Sequence, residues 1–364
     1  MKTTPPTVAL MLALALTGSA AAQTPAQNPP YTMFKDQRTG KQLMLPMIQR
    51  SVLQGVPGKI NQMAVNTAVN RLYVAAKGKG SLEMLDIGTN KQQPAIVELP
   101  EPNGVLIAPE LKKLVVSCGG DNSVRVFGIE PNGDLRFEKK MEFPGETESL
   151  RYDPVNKRVY VSHGRNLGSF NLETGQRAKS LGLPAMSRGF VIDPGSDRIY
   201  VNMPSNGSIA VVKRTPEGAS TLETTWEIKG FSGNNPMALD PAAGHLFTVT
   251  RSPTSRFVVV DTKTGALVGE PLPCVDQVES LWWDPVQRRV YASGGGSGGR
   301  VDIFQQAAGA EGKAPSYSLL HSETTAAGAC TSIFVPEQRR LIVAAPQFAG
   351  SADPTFLYVY LVGP

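Results

Sequence analysis

The sequence contains only three histidines and three cysteines, and each scarcity excludes a class of site. Three histidines cannot build a His-rich metal centre. Cys118, Cys274 and Cys330 allow at most one intramolecular pair, and their spacing matches no zinc motif. With no disulfide framework available, a hydrophobic core must carry the fold; any bridge is expected between Cys274 and Cys330. Aromatic residues make up 7% of the chain, too few for a stacking platform for single-stranded nucleic acid. Charged residues are 18% against 41% hydrophobic, which excludes a disordered chain. The net charge of +5 allows weak attraction to anions but is no nucleic-acid signature. Also missing are G-x-S-x-G, H-E-x-x-H, a P-loop and C-x-x-C. The run Gly294–Gly299 follows a strand and precedes a strand, so no helix N-terminus backs it for phosphate. What the chain has in abundance is turn formers: 36 glycines and 29 prolines in 364 residues argue against a helical bundle.

The N-terminus reads as an export signal. Lys2 supplies a positive start, Val8–Leu16 an apolar run, and Ala20-Ala21-Ala22 a cleavage site before Gln23. The run is shorter than the roughly 20 residues needed to span a bilayer, and no later segment is longer. Residues 1–22 are thus expected to be a signal peptide and 23–48 a Pro-rich extension. The mature protein is expected to be periplasmic or secreted, and monomeric.

From residue 49 to 364 the chain repeats itself seven times. The unit is clearest at Leu150 (LRYDPVNKRVYVSHGRNLGSFNLETGQ) and recurs from Phe190, Met237 and Leu281, with weaker copies from Met63, Val105 and Ser332. The turn position after the anchor acid is Thr67, Pro109, Pro154, Pro194, Pro241, Pro285 and Pro336. Each copy reads as four short strands. An apolar strand enters an Asp-Pro turn, where Pro presets φ and the Asp side chain accepts turn N–H groups. A β-branched and aromatic strand follows, such as Val159-Tyr160-Val161. A Gly/Ser/Asn loop, a third strand and a more polar fourth strand complete the unit. Such units at this period are the mark of a β-propeller, in which blades stack because none buries both faces alone. The fold expected is all-β: a seven-bladed propeller of four-stranded antiparallel blades. The seventh copy lacks a fourth strand. The stretch Gln49–Gly55 resembles one and is expected to complete that blade, closing the ring without an exposed sheet edge.

The repeated Asp-Pro…(Arg/Lys)-(Val/Ile)-Tyr at Asp153, Asp193 and Asp284, with Asp261-Thr262-Lys263-Thr264-Gly265 later in the unit, resembles the YVTN-type β-propeller repeat of exported bacterial and archaeal proteins. Asn66, Ala108 and Val335 depart from the anchor Asp. The resemblance implies a mostly non-enzymatic class of surface and periplasmic binding proteins, with a DNA-binding example among them. Function must still be argued from a site.

Five residues before the anchor stand Asn61, Asn103, Glu148, Arg188, Asn235, Glu279 and Cys330, six of the seven polar. They are expected to ring the mouth of the central channel on what is called here the top face. The loops between second and third strands add Lys77, Lys79, Asp121, His163, Arg165, Arg251, Arg256 and Arg300, making that face mostly cationic. Arg suits bidentate contact with carboxylate or phosphate. The expected function is a non-catalytic binding or scaffold propeller taking an anionic small molecule, an acidic protein surface or a polyanion at the mouth. Nucleic acid is weakly supported, and no cofactor or metal is expected. The alternative is a metal-assisted hydrolase or lactonase-like propeller using Glu148 and Glu279 with the asparagines. On the opposite face, Arg71, Lys112, Lys113, Lys157, Arg158, Arg198, Arg288, Arg289, Arg339 and Arg340 end tight hairpins and read as solvated turn residues. Of Trp282 and Trp283, strand alternation lets only one face the channel.

Overall fold

The computed structural model describes residues 44–309, 315–348 and 350–363. The expected signal peptide and residues 23–43 of the Pro-rich extension lie outside the described residues. Seven four-stranded sheets follow one another along the chain. Their innermost strands are Met63–Asn66, Pro102–Ala108, Thr147–Asp153, Phe190–Ile192, Met237–Asp240, Val278–Asp284 and Thr331–Val335, which define blades 1 to 7. Strand neighbours within a blade run antiparallel.

Ring closure follows the expected device. The N-terminal strand Met47–Leu53 pairs antiparallel with the last strand, Thr355–Leu361, from Met47↔Tyr360 to Leu53↔Thr355. It is the outer strand of blade 7, so a single sheet contains both ends of the described chain.

The core is divided among the gaps between blades. Each of the seven interfaces holds its own apolar cluster. Between blades 7 and 1, for example, Leu53 and Val56 pack with Leu72, Val74, Ile342 and Leu357. This explains the aromatic in the second strand of the repeat. Tyr73, Tyr160, Tyr200 and Tyr291 are all fully buried between blades. The Tyr73 hydroxyl donates to the carbonyl of Gly133 in blade 2 (2.6 Å), so the ring fills the gap while its polar end ties to the neighbouring blade.

The Asp-Pro turn works as its chemistry dictates. Asp153 Oδ1 accepts from the amides of Val155 (3.1 Å) and Asn156 (3.4 Å), and Asp284 Oδ1 from Val286 (2.9 Å) and Gln287 (3.1 Å). The turn ends in a left-handed residue: Asn70, Lys112, Lys157, Gly244, Arg288 and Arg339 all have positive φ. Asn and Gly tolerate that conformation; Lys and Arg adopt it at a cost. Lys157→Asn is therefore expected to hold or raise stability, because the Lys157–Glu173 pair it removes is exposed and contributes little. Lys157→Val should fall about 1–3 kcal/mol below the Asn variant, since a β-branched side chain fits φ near +51° poorly. Equal denaturation midpoints for the two variants would contradict this account.

All three cysteines are free thiols, which corrects the expected Cys274–Cys330 bridge. Cys274 is packed into the cluster between blades 5 and 6, and burial pushes its thiol well above the usual range. Cys118 is fully buried in the cluster between blades 1 and 2.

Candidate functional site

The rim of the channel is built by a local irregularity of the innermost strands. The pairing register shifts between Pro102 and Val105, between Thr147 and Leu150, and between Val278 and Ser280. Each shift is a bulge that turns Asn103, Glu148 or Glu279 away from the ladder, and bulges commonly re-aim side chains in this way. Polar residues of the second strands satisfy backbone groups beside these bends. Ser117 of blade 2 donates to the Glu148 carbonyl of blade 3 and accepts from Gly104 N (2.7 Å). Asn202 of blade 4 donates to the Asn235 carbonyl of blade 5 (3.1 Å). The residue after the rim position is glycine in blades 2 and 4 for a steric reason. A Cβ on Gly104 would lie 2.5 Å from the Glu148 carbonyl oxygen, and one on Gly189 2.2 Å from that of Asn235.

A cavity of about 520 Å³ runs through the centre and is lined by all seven blades. Four of the seven rim residues line it: Asn61, Glu148, Asn235 and Glu279. Asn103 does not. Its side chain is buried, donates to the Thr147 carbonyl (2.9 Å) and accepts from Asn61 Nδ2 (2.8 Å) and Lys77 Nζ (3.1 Å), so it ties blades together. Around the mouth the charges pair. Arg188 and Glu148 form a close ion pair. Burial pushes the Glu148 carboxyl up despite that cation. Glu279 receives Asn235 Nδ2 (2.6 Å) and Arg251 Nη2 (2.8 Å), with Lys59 Nζ 3.7 Å away.

The loop cations expected to converge on the mouth are held elsewhere in part. Arg300 grips the fully buried Asp302 (Nε to Oδ1, 2.9 Å), which also accepts from Val275 N and Ser322 Oγ. Arg165 is exposed and donates to the Pro184 carbonyl. Arg256 opens a third strand, with no side-chain hydrogen bond or ion pair to a described residue. His163 is fully buried rather than in an open loop: Nε2 lies 3.0 Å from Ser180 Oγ and the ring packs 5.1 Å from that of Phe143. Burial, with Arg177 nearby, lowers its pKa to about 4, so it stays neutral at ordinary pH and is no partner for Glu148. None of Arg165, His163, Arg251, Arg256 or Arg300 lines the channel cavity. The cationic excess that the sequence suggested is thus reduced, because carboxylates neutralise Arg188, Arg251 and Arg300, while Arg165 and Arg256 pair with no described carboxylate.

Below the rim comes a ring of side chains two residues before the anchor: Ala64, Leu106, Arg151, Val191, Ala238, Trp282 and Ile333, all lining the cavity. Six are apolar and one is arginine. Comparing the seven copies at this position, rather than at the rim, would have exposed Arg151. Both Trp282 and Trp283 border the cavity, against the simple alternation. Trp282 Nε1 donates to the Ser332 carbonyl (3.0 Å), while Trp283 leans on Phe247 of blade 5 with ring centroids 5.4 Å apart. Among the described residues, no three His, Cys, Asp or Glu side chains converge as a metal would require.

No protein-family model matches the chain, and no curated protein matches it in sequence. Solved structures match the fold. A chain of the Mitotic Checkpoint Complex superposes with a TM-score of 0.70 at 14% identity, covering 87% of this chain and 92% of that one. Hydrazine synthase of Kuenenia stuttgartiensis gives 0.68 at 15% identity, covering 84% and 98%. A candidate 6-phosphogluconolactonase from Bacteroides uniformis gives 0.65 at 11% identity, covering 80% and 91%. At such identities the likeness is one of fold alone. These neighbours span an enzyme, a candidate enzyme and a complex component, so the fold leaves function open. No described helix is long and apolar enough to cross a membrane.

Proposed function

We propose that this chain is an exported propeller of the YVTN type, a non-catalytic binding protein that takes an anionic ligand at the top-face mouth of its channel. One observation carries the reading. In the ion pairs of the two carboxylates that line the cavity the cation is the more exposed partner: Arg188 33% against Glu148 21%, Arg251 40% and Lys59 51% against Glu279 22%. An arriving anion therefore meets guanidinium and ammonium groups first, with the carboxylates set behind them. The cavity volume falls within the range of about 300–1,000 Å³ usual for small-molecule sites.

The double variant Arg188→Ala, Arg251→Ala tests this with citrate as the probe. Titration calorimetry is expected to show at least tenfold weaker binding and a flatter salt dependence, with the melting temperature nearly unchanged because both side chains are partly exposed. If citrate binding persists in that variant but disappears when Arg288 and Arg340 are neutralised, the ligand uses the opposite face. Turnover of a sugar lactone, lost in Glu148→Gln, would favour the hydrolase instead. Export is checked by fractionation and by a mature N-terminus near Gln23.

A further inference from the structure

Arg151 is the anomaly of the channel. At the equivalent position the other six blades carry Ala64, Leu106, Val191, Ala238, Trp282 and Ile333, so the fold itself is served by an apolar side chain there. Arg151 is half-buried in the channel wall, with its guanidinium 5.6 Å from the ring centre of Phe190 in blade 4. Its one hydrogen bond to a described residue runs from Nη1 to the adjacent Leu150 carbonyl (2.7 Å). No described carboxylate pairs with it, in contrast to Arg188, Arg251 and Arg300 at the top face. Desolvation pulls its pKa down to about 10, which leaves it charged at neutral pH. A cation without a paired counter-ion, in a ring whose other six members are apolar, is costly unless something anionic joins it.

We infer that the channel accepts an amphipathic organic carboxylate whose acid group pairs with Arg151 and whose apolar body lies against the ring around it. Arg presents planar paired donors that match a carboxylate. Leu106, Val191 and Ile333 supply apolar wall, and Trp282, its indole held by the bond to Ser332, supplies a flat face. This deepens the binding reading and rests on it: the mouth admits the anion, and the ring below it selects anions with an apolar body over hydrophilic ones.

The test uses 2-naphthoate, its uncharged analogue 2-naphthamide, and citrate, each titrated into the purified protein, with Arg151→Leu as the principal variant. Leu restores the character of the other copies, so this variant is expected to melt no lower than the wild type; Arg151→Gln serves as a second, more polar replacement. The wild type is expected to bind one 2-naphthoate, with quenching of tryptophan fluorescence, at least tenfold tighter than 2-naphthamide. In both variants the preference for the acid should vanish while citrate binding is kept. Equal affinity of wild type and Arg151→Leu for 2-naphthoate overturns the inference, as does equal wild-type affinity for acid and amide. If citrate binds and depends on Arg188 and Arg251 but 2-naphthoate does not bind, the mouth reading stands and the Arg151 inference falls. If neither anion binds the wild type, both fall.

Discussion

Deletion of residues 49–56 is expected to abolish cooperative unfolding. Those residues supply most of the outer strand of blade 7, whose pairing with Thr355–Leu361 closes the ring. They also include Leu53 and Val56, both fully buried in the cluster between blades 7 and 1. Losing two such side chains removes about 3–6 kcal/mol of burial, comparable to the whole stability of many domains, about 5–15 kcal/mol. The deletion also exposes an unpaired sheet edge, an invitation to aggregate. The Val56 carbonyl, which accepts from Thr355 Oγ1 (2.5 Å), goes with it. Calorimetry should show a broad, low-temperature transition or none. Removal of residues 23–34, read from sequence as a linker, should leave the melt unchanged. Two truncations that both melt like the full chain would disprove closure by this strand.

Asp153→Ala is expected to cost about 3–5 kcal/mol, more than any other anchor-acid substitution in the repeats. Its Oδ1 caps the turn, while Oδ2 accepts from Asn156 Nδ2 (2.8 Å) and pairs with Arg214 Nη1 of blade 4 (2.5 Å). Asp153 is almost wholly buried, and the Arg214 side chain is 11% exposed. Alanine would strand that guanidinium without a carboxylate, leaving it neutral partners such as the backbone carbonyls of Asp193 (3.5 Å) and Ser196 (3.2 Å). Asp193→Ala should cost only about 1 kcal/mol, since Asp193 is half-exposed and its side chain serves chiefly the turn amide of Gly195 and the Ser196 hydroxyl. Urea denaturation of the two variants decides it. If Asp153→Ala costs no more than Asp193→Ala, the buried pair does not hold blades 3 and 4 together. A double-mutant cycle with Arg214→Met would isolate the pairwise part.

The blades were legible because a repeat writes the same local physics seven times. Asp-Pro turns, β-branched second strands and a recurring aromatic each have a short-range cause, and copies reinforce one another even where Asn66, Ala108 and Val335 break the pattern. The ring position of Glu148, Asn235 and Glu279 followed from the same alignment, because equivalent positions in a closed ring must face the same axis. The state of each side chain at that ring did not follow. Asn103 and Asn61 occupy equivalent positions, yet one is buried as a tie between blades and the other lines the cavity. His163 read as a loop residue because its burial depends on Phe143 and Ser180, contributed by the preceding blade and by the outer part of its own.

What the amino-acid order determined by itself is therefore the architecture: the blade count, the turn chemistry, and the need for an N-terminal strand to finish the last sheet. These rest on periodicity and on contacts between residues close in the chain. What only the tertiary structure decided is the electrostatics of the site. Whether an arginine is available depends on a partner brought beside it by the stacking of blades: Glu279 reaches Arg251 from 28 residues away, and the Asp302 carboxylate collects donors from across its blade. Arg151 keeps its charge unmatched because the ring surrounds it with six apolar counterparts. Ion pairing at these separations has no period in sequence, since it is set by which side chains the closed ring brings within a few ångströms of one another.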